Sequence, residues 1–129
     1  MNIKLSFSPV SKNPLDLLAV ILDDEKVLHE IDDPAVAAHV ARAATAFREQ
    51  GLKREYLATL PEGASPRALV VYWSPNLKSW NLWENVKTLT ARAVRLARDY
   101  RYARIGVLVN SPQAAPLVGK VVEGALLGA

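Results

Sequence analysis

Six consecutive apolar residues form the stretch Leu17-Leu18-Ala19-Val20-Ile21-Leu22. A short strand that is apolar at every position is typical of a sheet covered on both faces. Two later stretches have the same character, at residues 67–73 and 104–110. The sequence therefore predicts a central strand over residues 15–22 and two further core strands.

The segments between these strands carry signals for helices. Asp33 can cap a helix that starts at Pro34, where the missing N–H of proline costs nothing, and Gly51 suits the residue after its end. The same signals and the apolar spacing predict further elements. These are strands at residues 2–8, 26–28 and 54–60, a helix from Leu82 to about Tyr100, and a helix that opens at Ser111-Pro112 and runs to Gly128.

Strands and helices alternate along most of the chain, which predicts an α/β layered domain with a mixed β-sheet flanked by helices. The length of 129 residues fits one domain. No apolar run reaches the roughly 20 residues of a membrane span, and no signal peptide is evident at Met1. With no cysteine in the sequence, the expected location is the cytoplasm.

Positive charge is concentrated in the second half of the chain. Residues 1–66 hold 7 Lys and Arg against 10 Asp and Glu, whereas residues 67–129 hold 9 against 3. Four arginines follow one another at a spacing of three, at Arg92, Arg95, Arg98 and Arg101. They are either the solvated face of an amphipathic helix or a surface for anions such as nucleic acid.

The three tryptophans, Trp73, Trp80 and Trp83, lie within eleven residues of one another. The first ends a predicted strand, and a loop is predicted from Ser74 to about Asn81. The group is either a local apolar cluster that holds this loop over the sheet or an aromatic anchor for a partner chain or domain.

Few residues suit catalysis. Of the two histidines, His29 is interpreted as a residue beside a capped helix start. His39 is interpreted as a partly buried structural residue. No serine lies in a G-x-S-x-G pattern, and the loop after Trp73 has no glycine to admit a phosphate. The sequence predicts no catalytic, cofactor-binding or metal-binding residue in these 129 residues.

The segment Val122-Glu123-Gly124-Ala125-Leu126-Leu127-Gly128-Ala129 resembles the E-G-A-x-L run that leads into the catalytic domain of leucyl aminopeptidases, the cytosol aminopeptidase family. The paired strands at residues 57–61 and 67–71 and the Ala/Arg-rich second helix follow in the order of that family. The chain departs from the family after Trp73, where residues 74–78 replace a G-L-G-K-like turn.

The resemblance implies a macro-domain-like N-terminal domain that carries no active site. The family's two divalent metals, zinc or manganese, and its catalytic side chains belong to a C-terminal domain that is absent from this sequence. Full-length relatives remove N-terminal amino acids from peptides and form hexamers. The partners expected are therefore that catalytic domain and neighbouring subunits, contacted through Trp73, Trp80, Trp83, Leu126 and Leu127. The apolar end at Leu126-Leu127 also suggests a piece of a longer chain.

Two other functions are consistent with the residues. One is a stand-alone macro-like module with a pocket at the carboxyl ends of the parallel strands. The other is a nucleic-acid surface built on the four arginines, for which binding to duplex DNA should weaken steeply as salt rises.

Overall fold

The computed structural model describes residues 15–22, 34–50, 55–61, 66–73, 79–110 and 114–128. Seven elements follow one another in this part of the chain. They are β1 (Leu17–Leu22), α1 (Pro34–Gln50), β2 (Glu55–Thr59), β3 (Ala68–Trp73), α2 (Ser79–Asp99), β4 (Ile105–Asn110) and α3 (Ala114–Gly128). Among the described residues, the order is that of an α/β fold.

The strands form one four-stranded mixed sheet in the order β2-β3-β1-β4. Strand β1 runs parallel to both neighbours, so that Leu17 lies between Ala68 and Ile105, and Leu22 lies between Trp73 and Asn110. Strand β2 is antiparallel to β3. The predicted α/β fold with a mixed sheet is confirmed.

Every residue of β1 is buried, because the two faces of the sheet are covered by different helices. Leu18, Val20 and Leu22 pack with α1 through residues such as Val40 and Phe47. The alternate residues of β1 pack with α2 on the opposite face, in a cluster that also includes Val121 of α3. The apolar stretch at residues 17–22 is therefore the centre of a three-layer structure, as its composition predicts.

The side chain and backbone of Asp16 fix the amino ends of three strands. Asp16 Oδ2 accepts hydrogen bonds from the backbone N–H groups of Ala103 and Arg104, at 2.9 and 3.1 Å. The carbonyl of Asp16 accepts from the N–H of Arg67 and of Ala68, and its own N–H donates to the carbonyl of Arg104. One residue thus ties β1, β3 and β4 together at the same edge of the sheet.

Helix α3 packs closely against α2 because two of its residues have no side chain. A Cβ on Gly124 would overlap the Lys87 carbonyl oxygen and lie 2.7 Å from Thr90 Cβ. A Cβ on Gly128 would lie 2.5 Å from the carbonyl oxygen of Ala91. The two glycines are one helical turn apart and face the same partner, so they set the distance between the two helices.

Several predicted boundaries differ from the structure. Helix α2 begins at Ser79 instead of Leu82, so the predicted loop to Asn81 is wrong at its end, and Trp80 lies in the helix. The described part of the last helix begins at Ala114, and Ser111-Pro112 lies outside the described residues. The predicted strands at 2–8 and 26–28 and His29 also lie outside them.

Candidate functional site

Among the residues that the structure describes, the most exposed large apolar side chains lie at the end of α3. Leu126 and Leu127 are 62% and 60% exposed, whereas the preceding residue, Ala125, is buried. The glycine contacts with α2 fix the rotation of this helix, so these two leucines are held pointing away from the core. Both residues were predicted for a partner surface, and the structure places them together in solvent.

Trp73 does not share this location. Trp73 is half-buried at the end of β3, and its ring lies 5.6 Å from that of Phe47, between the sheet and α1. Trp80 and Trp83 belong to the first turns of α2, and their side chains lie outside the described part of the chain. Trp73 thus packs against the apolar cluster that includes Phe47 of α1.

The arginines of α2 lie on its exposed flank. Arg92, Arg95 and Arg98 are all exposed, whereas Ala93 and Ala97 between them are buried against the sheet. Lys87, two turns earlier, forms an ion pair with Glu84 at 2.9 Å. The hydrogen bond to the Glu84 carboxylate raises the pKa of the Lys87 ammonium group. The exposed flank is therefore arginine-rich only toward the end of the helix.

Arg101 does not continue that flank, because α2 ends before it. The N–H of Arg101 donates to the carbonyl of Arg98, and the N–H of Tyr102 donates to the carbonyl of Ala97. These two bonds form a Schellman motif, in which the residue at the position of Arg101 adopts a left-handed conformation. Arg101 does so with a φ of 60° at a position where glycine is the usual residue.

The chain reversal after α2 gathers aromatic and basic side chains that sequence reasoning did not group. The Tyr100 and Tyr102 rings are stacked, with centroids 5.7 Å apart and an angle of 14° between their planes. The guanidinium of Arg67, brought in by the start of β3, lies 5.6 Å from the centre of the Tyr102 ring. We call this group the arginine–tyrosine cluster; it consists of Arg67, Arg98, Tyr100, Arg101, Tyr102 and Arg104.

A signal for the arginine–tyrosine cluster exists in the sequence, in the alternation Tyr100-Arg101-Tyr102-Ala103-Arg104. Sequence reasoning assigned these residues to a helix end and a strand start, and thus separated them. The contribution of Arg67 has no sequence signal, since it depends on the pairing of β3 with β1.

Two polar side chains in the core have contrasting surroundings. His39 is half-buried, and its Nδ1 lies 3.2 Å from the Tyr56 hydroxyl. The Tyr72 hydroxyl is buried and has no hydrogen-bond partner among the described residues. Burial raises the pKa of Tyr72 far above its usual range; the negative charge of Glu55 raises it further, and Arg92 lowers it.

The described residues contain no group of three or more His, Asp or Glu side chains that could hold a metal ion. The connections that follow the parallel strands, at residues 23–33, 74–78 and 111–113, lie outside the described residues. A pocket at that edge of the sheet stays a prediction.

Comparison of the chain with protein-family models, curated proteins and solved structures finds no match. Among the described helices, none combines the length and the apolar character needed to cross a membrane.

Proposed function

We propose that this chain is the non-catalytic N-terminal domain of a leucyl-aminopeptidase-like protein, and that the exposed end of α3 contacts the catalytic domain or a neighbouring subunit. The observation that carries the proposal is the outward placement of Leu126 and Leu127. The macro-domain-like fold implied by the resemblance belongs to the same proposal, and the mixed α/β sheet supports it.

The energetics favour a partner at this position. Burying a leucine side chain is worth roughly 1.5–3 kcal/mol, and Leu126 and Leu127 lie next to each other on a helix that cannot easily turn. Because the helix is already fixed, a partner that buries these leucines does not have to order them first.

The resemblance and the exposure fall on the same residues. Glu123, Gly124, Ala125 and Leu127 match the E-G-A-x-L run. In this chain Gly124 contacts α2 and Leu127 is exposed, so one face of the motif packs inside the domain and another faces solvent. A segment that leads from one domain into the next would need both faces.

Under this proposal, catalysis belongs to a separate C-terminal domain. In the longer protein the two divalent metals and the groups that hydrolyse the peptide would lie in the C-terminal domain, and assembly would bring several copies together as a hexamer. This chain would contribute the packing surface.

The test has two readouts. We expect the purified 129-residue chain to show no hydrolysis of leucine amide with added manganese or zinc, and its gene to continue past Ala129 into a domain with clustered Lys, Asp and Glu ligands. Metal-dependent hydrolysis by these 129 residues, or a stop codon directly after Ala129, would overturn the proposal.

A further inference from the structure

We infer that the arginine–tyrosine cluster binds single-stranded nucleic acid, with the Tyr100 ring stacking on a base and the surrounding arginines contacting phosphates. The surface lies at the end of α2 where β4 begins, and Leu126 and Leu127 are not part of it. The inference therefore stands independently of the proposed function.

The aromatic component is preformed. Tyr100 is 58% exposed, and its ring is held by stacking on the half-buried Tyr102. Tyr102 in turn packs against the apolar cluster beneath α2, and its N–H is bonded to the carbonyl of Ala97. An exposed ring that is already fixed loses little freedom when a base stacks on it.

The electrostatic component surrounds this ring. Arg67, Arg98, Arg101 and Arg104 are all exposed. Among the described residues, the acids that adjoin this group in the chain or by hydrogen bond are Asp99 and Asp16, and the Asp16 carboxylate already accepts hydrogen bonds from two backbone N–H groups. Positive charge therefore dominates around Tyr100, which favours the phosphate backbone of a nucleic acid.

The combination selects single strands over other polyanions. A duplex hides its base faces in its own stack, so an exposed tyrosine offers it little. An acidic protein would use the arginines but has no need for the stacked ring. Unpaired bases joined by phosphates use both components.

Arg101 supports the inference through its backbone. The residue that follows a helix end in the left-handed conformation, here Arg101, is usually glycine, since a side chain there adds a steric cost. An arginine at this position lowers fold stability and adds a charge next to Tyr100. A role in binding explains why a charged side chain occupies a position that the fold alone assigns to glycine.

The test is fluorescence anisotropy with the full chain and a labelled oligo(dT) of about 12 nucleotides, at roughly 50 mM salt. Binding should weaken as salt rises, with a logarithmic slope of about −3 if all four arginines contact phosphates. Tyr100→Ala should weaken binding about tenfold, whereas Tyr100→Phe should preserve it. The matched duplex and polyglutamate should bind more weakly than the single strand.

Two arginine variants separate binding from folding. Arg101→Gly should raise Tm by a few degrees and yet weaken oligo(dT) binding, an outcome that a purely structural role for Arg101 does not produce. Arg42→Ala is the matched control, because Arg42 is exposed on α1 on the opposite side of the sheet, and it should leave binding unchanged. The inference is overturned by any of four results: undetectable binding, equal binding of duplex or polyglutamate, an unaffected Tyr100→Ala, or an equal loss in Arg42→Ala.

Discussion

Gly124 lies directly against the backbone carbonyl of Lys87, so closely that no side chain fits between α3 and α2. The buried Thr90 flanks the same contact. This relationship fixes how α3 is rotated, and the rotation decides that Leu126 and Leu127 face solvent. The helix contact and the proposed partner surface are therefore two consequences of one glycine.

The first prediction concerns that glycine. In an open helix, Gly→Ala stabilises by up to about 1 kcal/mol, but Gly124→Ala should destabilise the protein by about 1–3 kcal/mol or more, because the methyl group meets backbone. Urea denaturation measures the difference. Gly106→Ala is the control: its nearest neighbour is the flexible end of the Leu15 side chain, at 2.6 Å, so the loss should be smaller. Gly124→Ala with unchanged or increased stability would contradict the close packing.

The second prediction concerns Asp16. Asp16→Ala leaves the N–H groups of Ala103 and Arg104 without their side-chain acceptor, and should lower the free energy of unfolding by about 1–2 kcal/mol. Asp16→Asn keeps an acceptor oxygen and should lose less. The measurement is again urea denaturation, with Asp99→Asn as the control on an exposed carboxylate. Equal effects at Asp16 and Asp99 would show that the strand ends do not depend on this residue.

The third prediction concerns alkaline pH. Because burial raises the pKa of Tyr72 above its value in the unfolded chain, the unfolded state loses this proton first as pH rises above about 10. The native state then binds more protons than the unfolded state, and stability should fall by up to about 1.4 kcal/mol per pH unit. Tyr72→Phe should remove this part of the decline, because phenylalanine has no proton to lose. The same decline in both proteins between pH 10 and 12 would contradict the assignment.

The layered fold follows from local patterns in the sequence. Residues 17–22 are apolar at every position because β1 is covered on both faces, and that requirement is visible without a structure. Likewise, α1 begins at Pro34 in the described part of the chain, and proline is suited to the first position of a helix. Such features depend on neighbours in the chain, and so they can be predicted from it.

The candidate surfaces depend on contacts between distant residues, and these were predicted only in part. Leu126 and Leu127 were expected on a partner surface, but their orientation is set by the contact of Gly124 with α2. The arginine–tyrosine cluster needs Arg67 beside Tyr102, which only the strand pairing provides. Arg101 was grouped with the arginines that precede it because it continues their spacing of three, although α2 ends before it and its backbone is left-handed.

The most direct measurement for the central claim is the particle mass, by light scattering, of the protein expressed from its whole gene. Leu126→Glu combined with Leu127→Glu should lower this mass, because charged side chains would replace the apolar contact. Leu57→Glu, at a leucine that is 52% exposed on β2, should leave the mass unchanged. An identical mass for the wild type and the double variant would contradict the assignment of the end of α3 as the contact with a neighbouring subunit.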